Sequence, residues 1–120
     1  MNILVIEDDI TLLELVKTFL EGKGHDVTVT TRAKEALKLL DEKKPDLVLL
    51  DIQLPDQNGL DTLSQIKSRF FDLSVVIMTG FKDAEVVVQA FRRGALDCLL
   101  KPLNLDYLQQ SIISRVQKSS

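Results

Sequence analysis

A single cysteine, Cys98, stands in 120 residues. That excludes an internal disulfide framework and a multi-cysteine zinc site. No apolar run is long enough to span a bilayer. The opening Met1-Asn2-Ile3-Leu4-Val5-Ile6-Glu7-Asp8-Asp9 has no basic segment and turns acidic after four apolar residues, so it does not read as a signal peptide. A reducing, cytoplasmic location is therefore expected, with no membrane association. Fifteen Lys and Arg against 18 Asp and Glu leave a net charge of −3. Without a basic excess, direct nucleic-acid binding by this chain is not expected. Repeats, low-complexity segments and linker-like stretches are also lacking, and the length suits one domain, residues 1–120.

What remains is a globular composition, 45% hydrophobic and 28% charged, in a chain long enough to bury a core. Short apolar runs alternate with amphipathic stretches. Ile3–Ile6, Val27–Thr30, Leu47–Leu50, Val75–Met78 and Cys98–Leu100 read as strands. Between them, helical spacing recurs. Leu12, Leu13, Val16, Phe19 and Leu20 end at Gly22-Lys23-Gly24, a glycine C-cap signal. Ala33, Ala36, Leu37 and Leu40 precede Lys43-Lys44-Pro45, and Leu60, Leu63 and Ile66 follow a loop from Asp51 to Gly59. Val86, Val87, Ala90 and Phe91 end at Gly94, and Leu105, Leu108, Ile112, Ile113 and Val116 mark the last helix. Strands without polar alternation must be covered on both faces. The expected fold is therefore α/β: a doubly wound, five-stranded parallel sheet with five helices shared between its faces.

The polar residues sit at one kind of place. Glu7, Asp8 and Asp9 follow the first strand, Asp51 the third, Thr79-Gly80 the fourth and Lys101-Pro102 the fifth. In an open parallel sheet these ends share one edge, where ligands bind at the switch in strand order. Two carboxylates about 4 Å apart repel by roughly 4 kcal/mol at an effective dielectric near 20. A divalent hard cation relieves that, and Mg²⁺ favours one or two carboxylates plus waters and phosphate oxygens. The remaining carboxylate can then attack phosphorus to give an aspartyl phosphate. Metal and lysine would share the charge on the transferred oxygens, with a hydroxyl binding one of them.

Ile3–Asp9, Leu49-Leu50-Asp51-Ile52-Gln53-Leu54-Pro55 with Gly59, Ile77-Met78-Thr79-Gly80, Gly94-Ala95 and Lys101-Pro102 together resemble the receiver domain of two-component response regulators. The ordered set, with 28 positions from Asp51 to Thr79 and 22 from Thr79 to Lys101, spans essentially the whole chain. The resemblance implies the flavodoxin-like strand order 2-1-3-4-5. It implies Asp51 as phosphoacceptor, Asp8 as a direct Mg²⁺ ligand, Glu7 acting largely through water, and Gln53 lending its backbone carbonyl to the metal. Thr79 matches the switch hydroxyl, and Lys101 the phosphate-binding lysine with a cis bond to Pro102. The implied partners are a sensor histidine kinase or phosphotransfer protein as donor, and an output domain or downstream protein, with a phosphorylation-dependent homodimer as a further expectation. The output surface would be the fourth helix, fifth strand and fifth helix. Met78-Thr79-Gly80-Phe81 and Gly94-Ala95-Leu96-Asp97 are similar to receivers of NtrC-type transcriptional activators. Two positions depart from the family pattern: Cys98 stands where Tyr or Phe is usual, and Leu103 where Phe commonly follows Lys-Pro.

Plainer readings compete residue by residue. Asp9 suits a helix cap. Cys98 suits a small core filler. His25 sits in a polar turn and receives no role. Arg92-Arg93 suits a solvated helix end, and Phe70-Phe71 a plug for the third helix. At the level of function, an aspartyl phosphatase of the haloacid-dehalogenase type needs a second Asp where Gln53 stands. A flavin or nucleotide site needs a Gly/Ser/Thr-rich first loop where Glu7-Asp8-Asp9 would repel phosphate. A degenerate, phosphorylation-independent docking domain is the alternative. The expectation is a self-modifying phosphoacceptor rather than a turnover enzyme.

Overall fold

The computed structural model describes residues 1–80 and 84–119. Five parallel strands, β1 (Asn2–Ile6), β2 (Asp26–Thr30), β3 (Leu47–Asp51), β4 (Ser74–Thr79) and β5 (Asp97–Leu100), form one sheet in the order β2-β1-β3-β4-β5. The helices are α1 (Ile10–Gly22), α2 (Ala33–Glu42), α3 (Gly59–Arg69), α4 (Ala84–Arg92) and α5. The last is continuous but irregular: Leu105–Tyr107 is α-helical, Leu108–Ile113 is π-helical, and Ser114–Ser119 is α-helical again. The doubly wound parallel sheet expected from the strand and helix pattern is the one found, in the flavodoxin-like order that the family resemblance implies.

The apolar strand runs explain the layering, because alternate side chains enter opposite faces. Ile3, Val5, Leu47, Leu49, Val76, Met78 and Leu99 meet Leu13, Val16 and Leu20 of α1 and Leu108, Ile112 and Val116 of α5. Leu4, Ile6, Val48, Leu50, Val75 and Ile77 meet Ala36 and Leu40 of α2, Leu63 and Ile66 of α3 and Ala90 of α4. Truncating one of these buried Leu or Ile side chains to Ala costs about 2–5 kcal/mol. The chain leaves β1 on the first face and β3 on the second, so the switch in strand order falls between β1 and β3. Their register pairs Ile6 with Leu50, which puts Glu7 and Asp51 at the same edge.

Helix ends carry local signals. Asp9 caps α1 by accepting from the Leu12 N–H at 3.2 Å, and Asn58 caps α3 by accepting from the Leu60 N–H at 2.7 Å. Gly24 and Gly94, at φ of 90° and 101°, take the left-handed conformation that follows α1 and α4. Two sequence expectations change. Phe70 packs on the α3 side of the core, but Phe71 is 83% exposed and plugs nothing. His25 is buried rather than free in a turn: its Nδ1 lies 3.2 Å from the chain's terminal amine and its Nε2 2.9 Å from Gln109 Oε1 of α5. Arg93 leans back onto α3, 3.4 Å from Asp61. No helix among the described residues is long and apolar enough to cross a membrane.

Candidate functional site

The carboxyl ends of β1, β3, β4 and β5 bring the polar residues together. Glu7, directly after β1, is fully buried, with its N–H donating to the Thr30 carbonyl at 3.1 Å. Its Oε2 accepts from the Asp9 N–H at 3.2 Å, so the β1–α1 turn holds the side chain inward. Asp51, the last residue of β3, is 2% exposed, and its Oδ1 accepts from the Gln53 N–H at 3.1 Å. Asp8 stands exposed at the mouth. Glu7, Asp8 and Asp51 each offer a carboxylate oxygen within 4.8 Å of the others.

Lys101, just after β5, reaches over this group. Its Nζ lies 2.6 Å from Glu7 Oε1 and 3.4 Å from Asp51 Oδ2. Its N–H donates to the Thr79 carbonyl at 2.8 Å, which fixes the start of the β5–α5 turn, and the Lys101–Pro102 peptide is cis. Thr79 ends β4 and is fully buried.

The electrostatics are unbalanced. Burial first, and then the neighbouring Asp51 carboxyl, push the Glu7 carboxyl above its ordinary range; Lys101 only partly offsets them. Burial pulls the Lys101 ammonium down, but contact with Glu7 and the charge of Asp51 outweigh it, so the net direction is up. Glu7 Oε1 rests against the Lys101 ammonium, which it shares with Asp51 Oδ2, so one positive charge faces two buried carboxylates. Two buried carboxylates with a single counter-charge between them are costly to hold ionised. Three hard oxygen donors with a single ammonium among them fit a small divalent cation such as Mg²⁺.

Other expected features fall into place differently. Cys98 packs partly buried on the α4 side of the sheet, where burial, then the charge of Asp97, push its thiol up. Leu103 lies against the α1 and α5 side. Phe81 lies outside the described residues. Sequence reading missed Asp56, placing it only in a loop. Its Oδ1 accepts from Ala33 N–H at 3.0 Å and its Oδ2 from Lys34 N–H at 3.1 Å. The one available signal was the lack of a Ser, Thr, Asp or Asn cap at Arg32, just before α2.

With this geometry, the sequence matches the response regulator receiver domain over residues 3–113, and the chain belongs to that family. It is 37% identical over 111 residues to the transcriptional regulatory protein ZraR of Salmonella typhimurium, covering 92% of this chain and 25% of that protein. It is 31% identical over 116 residues to the regulatory protein LuxO of Vibrio cholerae, covering 97% of this chain and 26% of that one. The solved receiver domain of NtrX from Brucella abortus is 35% identical, with a TM-score of 0.91 over 98% of this chain and 99% of that chain. A two-component response regulator from Clostridium difficile is 29% identical, with a TM-score of 0.94 over 98% of this chain and 96% of that chain. The chain spans about a quarter of the length of the curated relatives it matches.

Proposed function

We propose that this chain is a phosphorylation switch that takes a phosphoryl group onto Asp51. The observation that carries the reading is the buried Asp51 carboxylate, 3.4 Å from the Lys101 ammonium and beside the Glu7 and Asp8 carboxylates. An Asp51 oxygen forms the bond to phosphorus while the donor's phosphorus–nitrogen bond breaks, and the imidazole of a phosphohistidine leaves with the electron pair and is then protonated. Asp8, Asp51 and the Gln53 backbone carbonyl would hold Mg²⁺, with Glu7 acting through water. When bound, that ion supplies positive charge against the acid pair and the phosphoryl oxygens. Lys101 presents its ammonium to the same oxygens, and the Thr79 hydroxyl binds one of them. The Gln53 N–H keeps the Asp51 carboxylate oriented. The domain modifies itself and does not turn over a substrate.

The donor is a sensor histidine kinase or a phosphotransfer protein in the cytoplasm. Val88 and Phe91 of α4, Leu96, Leu100 of β5 and Tyr107 of α5 are exposed, and they form the surface that passes the signal on. It acts on an output domain or downstream protein, with transcription as the controlled process, and a phosphorylation-dependent homodimer uses the same face. Incubation with acetyl phosphate and Mg²⁺ is expected to raise the intact mass by one phosphoryl group, with complete loss of the adduct in Asp51→Asn. An unmodified parent chain, or an adduct that survives Asp51→Asn, overturns this reading.

A further inference from the structure

We propose that Asp56 is a positioning residue for the acid pocket: it ties the loop that carries Gln53 to the first turn of α2. The metal arm of this inference rests on the reading of Glu7, Asp8 and Asp51 as a Mg²⁺ site. The loop between β3 and α3 is closed on itself. Gln53 bridges Asn58, and the Gly59 N–H donates to the Ile52 carbonyl at 2.8 Å. A Cβ at Gly59 would sit 2.3 Å from Ile52 Cα, so only glycine permits this approach. The Gln57 amide donates to Thr62 Oγ1 at 2.6 Å, which docks the loop on α3. A loop built in this way moves as one piece.

Asp56 connects that piece to a different helix. Its two oxygens accept from Ala33 N–H and Lys34 N–H at 3.0 and 3.1 Å. The residue preceding α2, Arg32, is extended (φ −134°, ψ 141°) and brings no capping side chain among the described residues. By contrast α1, α3 and α5 are capped locally by Asp9, Asn58 and Asn104. The cap of α2 therefore comes from 23 residues away. Partial burial pushes the Asp56 carboxyl up, but the two amides and the Arg32 charge outweigh it, and the net direction is down. Charge-assisted bonds at a helix N-terminus are stronger than neutral ones. An anchored loop holds Gln53 still, and with it the N–H that orients Asp51.

The test separates a tether from a cap. Asp56→Ala removes both roles. Adding Arg32→Ser gives α2 a local Ser-x-x-Glu capping box with Glu35 but no link to the loop. The readouts are amide hydrogen exchange at Gln53 and Gly59, and Mg²⁺ titration followed by backbone NMR shifts. Asp56→Ala is expected to speed exchange at both amides and weaken Mg²⁺ binding about tenfold, the lower end of what outer-layer substitutions do to metal sites. The double variant is expected to regain the thermal midpoint while keeping the fast loop exchange and weak metal binding. If the double variant recovers parental exchange and affinity, Asp56 is a remote cap only and the proposal is overturned. A parent chain that binds no Mg²⁺ sinks the metal-site reading, while exchange at Gln53 and Gly59 still decides the tether.

Discussion

The two ends of the strands treat charge in opposite ways. At the amino ends, two exposed one-to-one ion pairs and a backbone hydrogen bond meet the charges in water. Lys44 pairs with Asp72 at 2.9 Å, Arg69 with Asp41 at 3.0 Å, and Asp46 accepts from the Asn2 N–H at 2.7 Å. At the carboxyl ends, two buried carboxylates share one ammonium, and a third stands at the mouth. Each end has acidic side chains close to lysine, so their presence alone distinguishes nothing. What distinguishes the ends is the ratio of charges and the burial. A surplus of desolvated negative charge is unfavourable for the fold by itself, and a small cation would relieve it.

The largest expected effect on stability tests the shared ammonium. Lys101→Met leaves Glu7 and Asp51 facing each other without it. It should lower chemical-denaturation stability by about 2 kcal/mol, less than a fully buried ion pair would lose because Lys101 is partly exposed. Mg²⁺ should restore part of the loss. A variant as stable as the parent would mean the carboxyl end carries no excess, and the contrast with the amino end would fail.

Acid titration sharpens the contrast further. Glu7 has a folded pKa above its ordinary 4.5. Its ionisation opposes folding, so its contribution worsens as pH rises from 4.5 through the folded value. Asp72 runs the other way. The Lys44 hydrogen bond holds it below 3.8, so its contribution is present above 3.8 and is lost as pH falls through the folded value. Unfolding midpoints of the metal-free protein should show the first slope at mildly acidic pH, and Glu7→Gln should flatten it. A Glu7→Gln profile that parallels the parent would assign the slope to another group.

The smallest effect is expected at the amino end. Arg69→Ala should change stability by about 0.5 kcal/mol or less, as for an exposed pair. Its rate of modification by acetyl phosphate should match the parent's. A clear loss of modification there would show that both ends serve the site.

Much of this was legible in the sequence because it is local. Ile3–Ile6, Leu47–Leu50 and Val75–Met78 are unbroken apolar runs, so two-sided burial and a parallel sheet follow from composition over a few residues. Once the strands are parallel, Glu7, Asp51, Thr79 and Lys101 must share an edge. The features that escaped are those made by distant chain segments. Asp56 meets α2 across 23 residues and His25 meets Gln109 across 84, and neither distance leaves a spacing to read. Phe71 adjoins a partly buried phenylalanine that packs on the core, and hydropathy does not tell such neighbours apart. In α5, Leu108, Ile112, Ile113 and Val116 are buried as expected, yet their spacing suits a π-helical path as well as an α-helical one.

That widened stretch of α5 carries a surplus residue. Tyr107 and Arg115 are eight positions apart, and at about 100° per residue an even helix would turn them roughly 80° away from each other. Here both reach Asp97, at 3.5 Å for the tyrosine hydroxyl and 2.9 Å for the guanidinium. The slack turn gathers two side chains onto one stripe, where they clasp the start of β5. A helix shortened by one residue within 108–113, for instance by deleting exposed Gln110, would wind evenly and still bring that guanidinium to Asp97.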